Sequence, residues 1–165
     1  MNISNETILD QMKEAVEEVF STMLDTVAKL VERGECHHSN GEESEAKDDS
    51  VEIEAVVDFS GNPNGSVILR ATAQGALDIA RKLLMMEDDE VVDLEEVQDA
   101  LGECANMVTG ALKTRALDPE GSFQLSMPRI DTRVHVENEH PAGGLVFELA
   151  QGNVSVEIWL SEATG

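Results

Sequence analysis

Tyrosine is absent from this chain of 165 residues, tryptophan occurs once, and aromatic residues make up 3% of it. Proteins that hold single-stranded nucleic acid stack bases on aromatic rings, and no such platform can be assembled here. Positive charge is as scarce: 11 Lys and Arg stand against 34 Asp and Glu, a formal net charge of −23. Phosphate backbones and anionic headgroups repel a chain this acidic, which excludes nucleic acid and membrane surfaces as partners. Long apolar runs are missing. Leu83-Leu84-Met85-Met86 is typical of the longest, far below the ~20 residues of a membrane span. Residues 1–10 lack the basic start and apolar run of an export signal. The two cysteines, Cys36 and Cys104, lie in unlike surroundings and form no disulfide framework. The expectation is a cytoplasmic chain forming one domain over residues 1–165.

What is present is a folded pattern, with 41% hydrophobic and 27% charged residues. Ile8, Met12, Val16, Val19, Phe20, Met23, Val27, Leu30 and Val31 recur at spacings of three and four, which predicts one long core-packing helix over 5–33, closed by Gly34. Residues 35–50 hold no aliphatic side chain larger than Ala and read as a flexible acidic insertion. Cys36, His37 and His38 within it lack the further ligands a metal site requires. Alternation over 51–59, with Glu52, Glu54, Val56 and Asp58 on its wet side, predicts a strand. The turn residues 61–65 then lead to a return strand at 67–73. Helical spacing resumes over 76–86. Four further strands are predicted at 123–128, 132–137, 144–150 and 154–160, with Gly152-Asn153 turning the last hairpin. Such an order predicts an α+β two-layer sandwich, helices packed on one face of a mostly antiparallel β-sheet.

The segment 93–115 is the most informative. Asp93 followed by Glu96 makes a capping-box start. At about 100° per residue, Val97, Leu101, Cys104, Val108, Ala111 and Leu112 share a face that must be buried, so Cys104 reads as a small core residue rather than a nucleophile. Opposite them, Asp99, Glu103, Asn106 and Gly110 stack at spacings of four, three and four, with Gly102 at the flank. Asn is a weak helix former, and Gly in a helix interior costs about 1 kcal/mol against Ala. A face so built is flat and approachable. Gly110 either clears space for a partner or lets two elements of this chain pack closely. With 22 Glu and 8 Asn in the chain, about one Glu-x-x-Asn pair arises by chance, so the context carries the signal rather than the pair. His135 and His140 accompany no visible nucleophile and read as structural. The acidic runs at 42–49 and 87–90 lack the spacing and Gly of a calcium loop.

The helix ALGECANMVTGALK resembles the active helix of the CheX/CheC chemotaxis phosphatases, whose pattern of Asp or Ser, three residues, Glu, two residues, Asn is met by Asp99, Glu103 and Asn106. AVEEVFSTML, FSGNPNGSVIL and FQLSMPRI are similar, in order, to the family's first helix, glycine-flanked hairpin and Ser-x-Pro strand. Some CheC-like members carry a second Glu-x-x-Asn on the first helix. Here Glu17 and Glu18 are followed at the third residue by Phe20 and Ser21, which places the chain with the single-site, CheX-like branch.

The resemblance implies a phosphatase acting on a phosphorylated CheY-type response regulator, whose aspartyl phosphate sits beside Mg²⁺. Hydrolysis there needs a water in line with the breaking bond and a metal to neutralise developing charge. The regulator supplies that Mg²⁺, so no cofactor or metal of this chain's own is implied. Asn106 would position the water, since an amide both donates and accepts without repelling phosphoryl oxygens. Glu103 would pair with the lysine beside the phosphorylation site, and Asp99, Gly110 and Gly102 would line the partner-binding face. A homodimer through sheet edges is also implied, with 154–160 as a candidate edge strand. The alternative is a non-catalytic regulator-binding or acidic adaptor module of the same fold.

Overall fold

The computed structural model describes residues 3–34, 52–131 and 139–161. Helix α1 (Asn5–Met23) starts at Ser4, whose side chain accepts the Thr7 N–H, and buries Ile8, Leu9, Met12, Ala15, Val16, Val19 and Phe20 along one face. The helix expected over 5–33 stops ten residues early. Asp25 takes a left-handed φ of 47°, and Val27 is 77% exposed. Past Phe20 the expected stripe turns outward at Met23, Val27 and Val31, while Leu24 and Ala28 are the residues buried in the core. Lys29–Gly34 instead forms strand β1, antiparallel to β6 (Glu139–Glu148), with Leu30 opposite Phe147 and a bulge between Leu30 and Glu32.

Strands β2 (Glu52–Ser60) and β3 (Gly65–Thr72) form the expected hairpin; the Asn64 side-chain oxygen closes its turn by accepting the Gly61 N–H at 3.0 Å. Thr72 caps helix α2 (Ala73–Leu83) by accepting from Gly75. Helix α3 (Leu94–Leu112) continues into a π-helical turn, Lys113–Leu117, and a 3₁₀ turn, Asp118–Glu120. Of the strand expected at 123–128 only β4 (Gln124–Leu125) forms, followed by β5 (Arg129–Asp131); the strand expected at 132–137 lies outside the described residues. Strand β7 (Asn153–Ser161) follows β6 through Gly152, whose φ of 76° suits glycine.

The seven strands join in the order β1-β6-β7-β3-β2-β4, with β5 also on β2, and every pairing is antiparallel. The expectation that 154–160 offers a sheet edge is overturned, because β7 sits between β6 and β3. It pairs with β6 along one side and with β3 along the other. Among the described residues the open edges belong to β1 and to the β4–β5 side.

Helix α1 packs on β6, α2 on β3 and β7, and α3 on β2 and β3 while touching both other helices. Alternate strand residues (Ala55, Val57, Phe59; Val67, Leu69; Leu145, Phe147; Val156, Ile158) join the helices in one core. The chain is an α+β sandwich with α3 at its centre. Among the described residues no helix is long and apolar enough to cross a membrane.

The sheet's other face is less wet than alternation suggested. Val56 is buried with Ile68 and Trp159 in a second small cluster. Beside it, Arg70 donates from Nε to Glu54 Oε1 at 2.6 Å and from Nη1 to Glu157, while Trp159 Nε1 donates to Glu157 Oε2 at 3.0 Å. Burial opposes the charge on Arg70, and the two carboxylates outweigh it, so its pKa is raised.

Asp78 on α2 is a buried acid, 6% exposed, and its Oδ2 has no hydrogen-bond partner among the described residues. Burial raises its pKa above 3.8; Lys82 and Arg81 oppose the shift and Asp88 adds to it. A raised carboxylate pKa penalises the folded state once the group ionises. The penalty is absent below about 3.8, where both states are protonated, and grows as pH rises through the folded value. Asp78→Asn is therefore expected to raise the melting temperature at pH 7 by about 2–4 °C, for about 1 kcal/mol of relieved burial. Thermal melts across pH should show that gain shrinking to nothing in acid.

Candidate functional site

Helix α3 is set by its ends and its stripe. Asp93 Oδ1 accepts the Glu96 N–H at 2.9 Å and Glu96 Oε2 accepts the Asp93 N–H at 3.1 Å, the full capping box. Val92 and Val97 flank that cap and both pack on the core, as a hydrophobic staple places them. Val97, Ala100, Leu101, Cys104, Ala105, Val108 and Leu112 are buried, which fixes the helix's rotation about its axis. The opposite face is therefore turned to solvent.

On that face Asp99 and Glu103 are exposed, and Asn106 and Gly110 are half-buried. Among the described residues no hydrogen bond or ion pair engages the Glu103 carboxylate or the Asn106 amide. Asn106 lies three residues after Glu103, so the two side chains project from adjacent turns of one rigid element. Cys104, one residue on, points the other way. Burial, with the Glu103 charge adding, pushes its thiol up to about 12, so it stays protonated and is no nucleophile.

The two glycines differ. A Cβ built on Gly110 would meet no heavy atom within 4 Å, so close packing between elements among the described residues does not account for it. Gly102 is buried; a Cβ there would lie 3.6 Å from Pro128 Cβ and 3.8 Å from Ile130 Cδ1. The segment entering β5 leans on the helix at this point, so Gly102 supports the rim of the face rather than opening onto it. Sequence spacing alone gave no sign of the chain that covers it.

Helix α1 offers no second site of this kind. Glu14 and Glu18 are both taken up by Arg115, whose Nη1 lies 3.2 Å from Glu14 Oε2 and whose Nε lies 3.1 Å from Glu18 Oε2. Phe20 is fully buried. His140 is exposed, whereas Cys36, His37, His38 and His135 lie outside the described residues. No three His, Cys, Asp or Glu side chains among the described residues are placed to hold a metal ion. A concavity of about 500 Å³ between the end of α1 and the β6–β7 turn, lined by Ser21, Asp25, Thr26 and Glu148 among others, contains none of the candidate residues.

The antiparallel sheet is thus covered on one side by three helices, the central one turning a carboxylate and an amide outward. The family described as chemotaxis phosphatase CheX matches residues 53–149, more than half of the chain. The chain belongs to that family.

Solved structures share the fold. The chemotaxis protein CheX from Desulfovibrio desulfuricans superposes with a TM-score of 0.72 at 23% identity, covering 93% of this chain and 99% of the other. A CheC-like superfamily protein from Shewanella sp. PV-4 gives 0.74 at 21% identity, covering 98% and 99%. A third, from Borrelia burgdorferi, is a CheX–CheY–BeF₃–Mg²⁺ complex, with a TM-score of 0.70 at 19% identity, covering 94% and 98%. No curated protein matches the sequence significantly.

Proposed function

We propose that this protein hydrolyses the aspartyl phosphate of a CheY-type response regulator. The observation that carries the reading is the Glu103–Asn106 pair, unengaged within the described residues and held outward on the central helix of a CheX-family chain. The Borrelia complex supports the partner class, since a protein of this fold is found there with CheY, BeF₃ and Mg²⁺.

The regulator brings the phosphoryl group and the Mg²⁺; this chain brings position. Asn106 enters the regulator's site and orders a water in line with the P–O bond, donating through its NH₂ or accepting through its carbonyl without adding charge. Glu103 binds the regulator's lysine and fixes the depth of insertion. Asp99 contacts the partner one turn earlier, Gly110 leaves clearance for its loop, and Gly102 acts through the segment it supports. Decay of a phosphorylated CheY-type receiver domain, followed with and without this protein, tests the whole. Unchanged decay at equimolar protein, with the organism's regulators each tried, would overturn the catalytic reading and leave a binding or adaptor module.

Gly110 separates stability from function. Gly110→Ala adds a Cβ to open space and improves helix propensity, so it is expected to stabilise by up to about 1 kcal/mol. Gly110→Met keeps most of that gain but fills the clearance, and phosphatase activity should fall about tenfold or more. Melting temperatures and rates measured on both variants check this. An active Gly110→Met protein would remove Gly110 from the site.

A homodimer through sheet edges is part of the proposal, now by way of β1, whose outer edge is unpaired within the described residues. Light scattering at high concentration decides it; a strict monomer would count against the edge pairing.

A further inference from the structure

Met127 is 86% exposed. Single apolar side chains on a surface are ordinary, but the chain on both sides of this one is held in place. Ser126 donates its N–H to Asp58 O at 2.8 Å, and its hydroxyl accepts the Asp58 N–H at 3.0 Å. Pro128 is half-buried against the Gly102 position, and Ile130 pairs with Ala55 while packing on the core. The loop carrying Met127 is thus tied to β2 on one side and to α3 on the other, with a flexible thioether standing in water between the two anchors.

Its location gives the exposure a meaning. Gly102 precedes Glu103 directly and lies one helical turn before Asn106, and Met127 is one Cα step, about 3.8 Å, from the proline whose Cβ lies 3.6 Å from a Cβ built at Gly102. A body that seats itself on Glu103 and Asn106 meets the 126–128 loop at the rim. We propose that Met127 is an apolar docking residue for the receiver domain of the response regulator, lying outside the catalytic pair and contributing affinity rather than chemistry. This rests on the function proposed above. Charge points to a different molecule rather than a second copy of this chain. Two such faces brought together would oppose Glu95, Glu96, Asp99 and Glu103 with themselves, whereas a receiver carrying the lysine that the function proposed above requires complements those acids.

The test compares wild type, Met127→Leu, Met127→Ala, Met127→Glu and Asn106→Ala. Steady-state dephosphorylation of a CheY-type receiver domain is measured, together with binding of the same domain charged with beryllofluoride and Mg²⁺. Met127→Ala should raise KM and Kd about tenfold, with saturated turnover within about twofold of wild type. Met127→Leu should stay near wild type, Met127→Glu should bind more weakly than Met127→Ala, and all three should melt as wild type does. Asn106→Ala should show the reverse split, with binding kept and turnover lost. Wild-type KM in both Met127→Ala and Met127→Glu, or a loss confined to turnover, would overturn the docking role while leaving the phosphatase reading intact. Wild-type protein that neither binds nor dephosphorylates any receiver domain would overturn both.

Discussion

Asn106→Ala is expected to reduce turnover of a phosphorylated receiver domain at least about 10²-fold while leaving binding within about twofold, since a positioning group that acts at the transition state lowers kcat without loosening the ground-state complex. The side chain is half-buried on α3 and engages no partner among the described residues, so its removal leaves the fold untouched. The buried stripe from Val97 to Leu112 that fixes the helix's rotation is on the other side. Single-turnover decay with the variant in excess isolates the chemical step. Asn106→Asp is the informative companion: it keeps the shape and adds a negative charge facing phosphoryl oxygens, so it too should lose turnover, and binding of the phosphorylated form should weaken. Full activity in Asn106→Ala would show that some other group orders the water.

Glu103→Gln is expected to raise KM about 10-fold or more with a smaller effect on saturated turnover, and Glu103→Lys to weaken binding further by setting like charges together. Glu103 is exposed, which predicts melting temperatures close to wild type for both variants. Exposure also carries a salt signature. An ion pair formed at the rim of a docked surface is screened within a Debye length of about 10 Å at 0.1 M salt. Wild-type KM should therefore rise with ionic strength, and the Glu103→Gln protein should show a flatter dependence. Identical salt dependence in the two would remove Glu103 from the contact, and unchanged KM would do the same.

Much of this site was legible before the fold. The capping box at Asp93 and Glu96, the buried stripe and the opposed set Asp99, Glu103, Asn106 and Gly110 all depend on the 3.6-residue period of one helix, a local property. The placing of Cys104 in the core followed from the same rotation. The glycines divide along this line. Gly110 faces open space, as its own helix dictates, whereas Gly102 is covered by Pro128 and Ile130, which arrive from elsewhere in the chain.

Strands were read less well because ladder partners are remote in sequence. Val27, Leu30 and Val31 keep helical spacing, yet Lys29–Gly34 pairs with a strand more than a hundred residues later. Over a few residues, spacing does not distinguish a helix from an edge strand whose partner is unknown. A place in the terminal hairpin suggested an open edge for 154–160, and pairing with β3 as well as β6 puts β7 in the interior. Val56 was likewise assigned to water by alternation, while the second cluster with Ile68 and Trp159 buries it.

By itself the sequence determined the order of most elements, the faces of α3 and the absence of aromatic and cationic surfaces, because composition and helical periodicity need no knowledge of distant residues. Tertiary structure alone decided which strand edges stay open among the described residues, that Gly102 is roofed while Gly110 is not, and that Met127 stands exposed next to the proline that packs at Gly102. Each of these depends on segments far apart in the chain meeting across a packed interface, and local periodicity carries no information about such meetings.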